Sequence, residues 1–250
     1  MISIRSELEN AVVPPEYSHV LKKPDLLSKS IKKVFEIYCK ILFTVYCPLK
    51  VIGRENIPKS SSFIFCSNHN SHMDSGILMA ASGLPFRNFA MIAAKDYFFD
   101  SNKRNYLNLL MNLIPIERDA DRKSLIDYLA ACREFTKTEN RNLIVYPEGT
   151  RSLTGKIQSF KKGPAMISAE LGLPIVPAFI KGSFNAWPKG KIFMKPSRIT
   201  MRIGRPILPD EYICNDDTEN PGNNFQAYKK ITEELEKRVH ELKNTGEPDA

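Results

Sequence analysis

Residues 62–74 read SFIFCSNHNSHMD. The first five, Ser62 to Cys66, form an apolar run of strand length. The polar residues that follow include His69, His72 and Asp74, and a helix can begin near Ser71. A strand that breaks into a polar loop and restarts as a helix is the repeating unit of an α/β sheet. Within the loop, His69 and Asp74 are spaced His-x4-Asp. On a regular helix five residues separate two side chains by roughly 140°. The two meet only if His69 stands on the loop ahead of the helix and turns back toward it. Asp74 would then accept a hydrogen bond from one imidazole nitrogen, fix the tautomer and leave the other nitrogen as a base. So short a match also fits a chance surface pair. The cluster admits a metal reading as well: Cys66, His69 and His72 form Cys-x2-His-x2-His, all of them zinc-ligand types. Three ligands straddling a strand end converge with difficulty, however, and the remaining histidines, His19 and His240, lie near the two ends of the chain.

The alternation extends along the chain. Phe89–Ala94, Leu143–Tyr146, Ile175–Ile180 and Arg198–Ile203 read as further strands. Ile77–Ala81, Arg104–Leu113, Arg122–Phe135 and Pro164–Leu171 read as helices between them. The fold class expected is therefore α/β, a mixed central sheet flanked by helices and preceded by an N-terminal amphipathic helix. That helix lies in residues 29–47, where Ile31, Val34, Phe35, Tyr38, Ile41, Leu42 and Val45 recur at helical spacing. Lys32, Lys33 and Lys40 decorate the remaining surface, and Pro48 ends the helix. Two readings of it stay open: a helix lying in a membrane interface, or one packed on its own domain with solvated lysines. Residues 1–50 are read as a leader plus this helix and 51–210 as the main domain. Residues 211–250 are read as a polar connector plus a helix that docks through Tyr228, Ile231, Leu235, Val239 and Leu242.

The chain has 250 residues, 42% of them hydrophobic, with a net charge of +8. This composition is that of a globular protein with an anionic partner: nucleic acid, a phosphorylated substrate or an anionic membrane. Five scattered cysteines give no disulfide framework, and a reducing compartment is expected. The first residues lack the apolar centre of a secretory signal. No stretch of about 18 uncharged apolar residues offers a spanning helix.

A second stretch, NLIVYPEGTRS at residues 142–152, takes a buried strand into Pro147-Glu148-Gly149-Thr150-Arg151-Ser152. Gly149 lets the backbone turn sharply. Glu148 and Arg151 stand at the C-terminal end of a strand, where α/β sheets place ligands. Arg151 can grip a phosphate through two parallel hydrogen bonds. A polar turn closed by a Glu–Arg pair would look the same.

With Asn68-His69-x4-Asp74 followed by Pro-Glu-Gly-Thr-Arg-Ser, the chain resembles the glycerophosphate and lysophosphatidate acyltransferase family. Pro115-Ile116-Glu117-Arg118 matches its third block and Ile175–Ile180 its apolar, proline-bearing fourth. Lys95 in AAKDYF, Phe160–Gly163 and Gly204–Ile207 also fit its habits. The resemblance runs from about Val51 to Ile207. Asn112 stands where the family often has a glycine, and Ala178 where valine is usual.

What the resemblance implies is acyl transfer from a thioester, on coenzyme A or acyl-carrier protein, to a glycerolipid hydroxyl. His69 would be the base and Asp74 its orienting partner. No Ser or Cys nucleophile is required. Arg118 and Arg151, with Lys95 as a further cation, would hold the phosphate. Glu148 would bind the glycerol or orient Arg151, while Gly149 and Thr150 shape the turn. Lysophosphatidate is the first acceptor expected, ahead of glycerol-3-phosphate or a lysophospholipid, because a phosphate monoester best uses several cations. No cofactor, metal or nucleic acid is expected. The expected location is peripheral, on an anionic membrane at its cytoplasmic face. Two readings from other classes are a zinc-dependent hydrolase built on Cys66, His69 and His72, and a non-catalytic membrane-binding module built on the basic helix.

Overall fold

The computed structural model describes residues 4–22, 25–98, 107–137, 141–213 and 221–245. Among them, seven strands form one sheet: β1 Leu49–Ile52, β2 Ile64–Ser67, β3 Phe89–Ala94, β4 Asn112–Ile116, β5 Asn142–Val145, β6 Ile175–Lys181 and β7 Ile199–Ile203. Their order across the sheet is β1-β7-β6-β2-β5-β3-β4. Neighbours are parallel except β6 and β7, which are antiparallel. The sheet is thus mixed, as expected of the alternating pattern.

The longer helices are α1 Ile4–Asn10, α2 Leu26–Ile41, α3 Asp74–Ser82, α4 Arg122–Thr136, α5 Gly163–Leu171 and α6 Pro221–Asn244. Aspartates start two of them. Asp25 accepts the Ser28 N–H and Asp121 the Ser124 N–H, both at 2.7 Å, so a side chain satisfies a donor left free by the first turn. β2 lies mid-sheet with all four residues buried, the pattern of a parallel strand covered on both faces. Its side chains alternate between two cores. Ile64 and Cys66 join α4, α5 and α6 on one face. Phe65, with Phe63 before it, joins α2 and α3 on the other.

Three expectations need correction. The helix expected over Arg104–Leu113 is not there as such. Residues 104–106 lie outside the described ones, Leu107–Leu110 make one helical turn, and β4 begins at Asn112. Pro115 explains the strand: its ring disfavours a helical Ile114 and has no N–H for a helical bond. β1, which the apolar runs do not predict, is a short edge strand of alternating half-buried and exposed residues. Lys32, expected at the surface, is buried, with its ammonium donating to Asn112 Oδ1. Of the connector expected at the start of residues 211–250, residues 214–220, with Cys214, lie outside the described residues.

Lys32 matters because it sets the roll of α2. The face turned to the protein carries Lys32, Glu36 and Cys39, continued by Phe43. Glu36 accepts hydrogen bonds from Lys33, Lys40 and the Phe86 N–H. Much of the apolar stripe then faces outward. Val34 is 66% exposed, Ile41 59% and Val45 75%, with Tyr38 beside them.

Candidate active site

β2, β3, β4, β5 and β6 run in one direction, so their C-terminal ends share one edge of the sheet. His69 follows β2 in a loop, and Asp74 is the first residue of α3. The loop turns the imidazole back onto the helix, with His69 Nδ1 3.0 Å from Asp74 Oδ2. The carboxylate is held in place, since the same oxygen accepts the Asn70 and Ser71 N–H groups, each at 2.7 Å. It also sits at the start of a helix, where negative charge is favoured. Because a carboxylate only accepts, Nδ1 is assigned the proton, and Nε2 is left as the acceptor.

The imidazole stacks flat on Tyr146, with ring centroids 3.7 Å apart and 8° between planes. The Tyr146 hydroxyl lies 2.8 Å from Ser75 Oγ, and burial pushes its pKa up. Asn68 is buried and clamps the loop to β6: its Nδ2 donates to the Ile180 carbonyl at 3.0 Å, and the Ile180 N–H donates to its Oδ1 at 2.8 Å.

The turn after β5 reaches the same place. Glu148, buried, accepts the His69 N–H at 2.8 Å through Oε1. Its Oε2 accepts the backbone and side-chain N–H groups of Gln158, both at 3.1 Å. Burial raises the Glu148 pKa against these bonds. The Ser152 N–H donates to the His69 carbonyl at 2.8 Å. Gly149 has φ +69°, and a Cβ there would lie 3.1 Å from Lys161 Nζ, so the turn requires glycine and brings Lys161 over it. Thr150 is exposed, and its carbonyl accepts from Gln158 Nε2 at 3.4 Å. The Arg151 guanidinium lies against His72, one nitrogen 2.6 Å from Nε2. Burial, reinforced by Arg151, lowers the His72 pKa to about 4, which keeps the ring neutral and able to accept.

Thus His69, Asp74, Glu148, Gly149 and Arg151 come together. Lys95 and Arg118 stand further along the same edge, at the ends of β3 and β4. The strand spacing puts these roughly 10 Å and 14 Å from β2. Lys95 is 2.8 Å from Glu117 and 3.7 Å from Glu16, and Arg118 is 3.1 Å from Asp96. The zinc arrangement loses its geometry. Cys66 points into the core beneath α4 and α5, and burial pushes its thiol pKa up. Among the described residues no group of three His, Cys, Asp or Glu side chains is placed to hold a metal. Sequence reasoning missed Tyr146, Gln158 and the clamp made by Asn68. The only signal for Tyr146 was its place at the strand end, just before the proline.

A mixed α/β sheet with a His–Asp pair and a Pro-Glu-Gly-Thr-Arg turn on one edge defines the class, and the chain belongs to the acyltransferase family, whose model, described as Acyltransferase, matches residues 48–181. Within that family it is similar to 1-acyl-sn-glycerol-3-phosphate acyltransferases. One from Limnanthes douglasii is 32% identical over 165 residues, covering 66% of this chain and 56% of that protein. One from Borreliella burgdorferi is 31% identical over 143 residues, covering 57% and 55%. The chain spans about half the length of these curated relatives. The crystal structure of the 1-acyl-sn-glycerophosphate acyltransferase PlsC from Thermotoga maritima superposes with a TM-score of 0.64. It is 28% identical, covering 88% of this chain and 83% of that one.

Proposed function

We propose that this protein transfers a fatty acyl group from a thioester, on coenzyme A or acyl-carrier protein, to the free hydroxyl of lysophosphatidate. The observation that carries the reading is the 3.0 Å contact between His69 Nδ1 and Asp74 Oδ2, which leaves Nε2 as a base. Nε2 takes the proton of the acceptor hydroxyl as its oxygen attacks the thioester carbonyl. Asp74 holds the imidazolium that results. When the tetrahedral intermediate collapses, the carbon–sulfur bond breaks and the imidazolium returns the proton to the departing thiolate. Arg151 exchanges neutral His72 for the phosphate oxygens of the acceptor. Lys95 and Arg118, farther along the edge and held by carboxylates, are secondary candidates for that phosphate. Glu148 fixes the His69 backbone, and Gly149 and Thr150 shape the turn.

The acceptor lives in a bilayer, and no helix among the described residues is long and apolar enough to cross one. The reading gives the protein an anionic membrane as partner, with peripheral attachment at the cytoplasmic face. The outward stripe of α2, with Lys29 beside it, is the surface that supports this.

The test is to incubate the purified protein with labelled acyl-CoA or acyl-carrier protein and a panel of lysophosphatidate, glycerol-3-phosphate and lysophospholipids, then to identify the lipid formed. Phosphatidate is expected. Preference for another acceptor would change the substrate, and no acylation of any would overturn the reading.

A further inference from the structure

Among the described residues, the segment after β6 carries the two most exposed large apolar side chains outside the N-terminal region. Residues 187–195 read WPKGKIFMK. Ile192 is 81% exposed and Phe193 83%. Two neighbouring exposed apolar residues at a loop tip lower solubility unless something covers them. Lys189, Lys191 and Lys195 flank them, all exposed. Between Glu170 and Asp210 the chain contains no acidic residue, so every charged side chain of the loop is positive. An apolar tip ringed by lysines complements a lipid surface with anionic headgroups: the aliphatic and aromatic groups enter the acyl boundary while the ammonium groups stay at headgroup depth.

The loop is tied on both sides. On one, the Tyr46 hydroxyl donates to the Met194 carbonyl at 3.3 Å, which joins it to the end of the outward stripe of α2. On the other, the Trp187 carbonyl accepts from Ser71 Oγ at 2.7 Å and the His72 N–H at 3.4 Å, inside the His69–Asp74 loop. The Trp187 Nε1–H donates to the Lys191 carbonyl at 2.8 Å and so braces the tip against its own root. We infer that Ile192 and Phe193 form a second membrane anchor, which inserts into an anionic bilayer beside α2 and sets the His69–Asp74 loop at headgroup depth. The inference rests on a bilayer-resident acceptor. It explains how a hydroxyl near the headgroup could reach His69 without the lipid leaving the membrane.

Trp187 is the single tryptophan of the chain, and it stands at the root of the loop as a built-in probe. The experiment uses the full chain without either substrate, so its outcome is independent of acyl transfer. Phosphatidylcholine vesicles, with and without phosphatidylglycerol, are titrated in, some carrying acyl chains brominated near the headgroup. Expected are a blue shift of the Trp187 emission and quenching by the brominated lipid, only with the anionic vesicles and reversed by salt. Ile192→Ser/Phe193→Ser should weaken vesicle binding by about tenfold or more. It should keep the melting temperature and the activity on a short-chain soluble acceptor. If the full chain sediments with anionic vesicles while Trp187 emission stays unchanged, or if the double variant binds as the parent does, the second anchor does not exist. Vesicle binding by the full chain together with no acylation of any acceptor in the separate activity assay would instead count against the enzymatic reading alone.

Discussion

His69 is held at four points: Nδ1 by Asp74, its ring face by Tyr146, its backbone N–H by Glu148 and its carbonyl by the Ser152 N–H. Asp74→Asn tests the first of these. All three donors meet the one oxygen Oδ2, so an asparagine carbonyl in its place would still accept from them but would carry no charge to hold the imidazolium. Loss of acyl transfer by about 10²-fold or more is expected. A variant with parental turnover would remove Asp74 from the mechanism. Arg151 calls for a different readout. Lysine keeps the charge but not the planar fork, so Arg151→Lys should raise KM for a phosphate-bearing acceptor by roughly tenfold while kcat changes less. An unchanged KM would place the phosphate elsewhere, with Lys161, lying over Gly149, the next residue to change.

At the level of elements, α2 is rolled so that Lys32 and Glu36 face the protein and valines and isoleucines face out. Val34→Ser/Ile41→Ser therefore removes little packing, and stability should stay within about 0.5 kcal/mol of the parent. Binding to anionic vesicles should fall in the same variant; if stability falls instead, the stripe is core. The sequence carried the stripe and its lysines but not this roll. The choice of face depends on Asn112 and Phe86, far along the chain, which hydrogen-bond Lys32 and Glu36. The strands of the buried centre were legible as apolar runs, whereas β1 alternates weakly and β4 hides behind leucines at helical spacing. The docking of α6 offers a pH test. Glu170 on α5 accepts from the Tyr228 hydroxyl and from Asn224 Nδ2, and burial raises its pKa above 4.5. A raised carboxyl binds more protons folded than unfolded between 4.5 and its native value, so its contribution is fullest at the acid end and is lost as pH rises. Relative to the parent, Glu170→Gln should gain melting temperature as pH rises above 4.5. A constant gap across that range would mean that Glu170 titrates normally.

Over the whole molecule, five parallel strands point one edge at a single surface; the 187–195 loop adjoins that edge through Trp187 and Ser71, and Tyr46, five residues beyond α2, bonds its Met194 carbonyl. The candidate site was legible where one short string carried it: His69 with Asp74, and Glu148 with Gly149 and Arg151. Other contacts depend on chain crossings that spacing does not encode. Tyr146 reaches His69 because β5 lies beside β2, and Lys95 and Arg118 stand apart because β3 and β4 lie beyond β5. The claim on which the account depends is that Nε2 of His69 deprotonates the acceptor hydroxyl. The most direct measurement supplies labelled acyl thioester and lysophosphatidate to the full chain and to His69→Ala, matched for melting temperature, and follows phosphatidate formation. Product is expected from the parent, with a loss of about 10²-fold or more in the variant. Equal rates from the two proteins would contradict it.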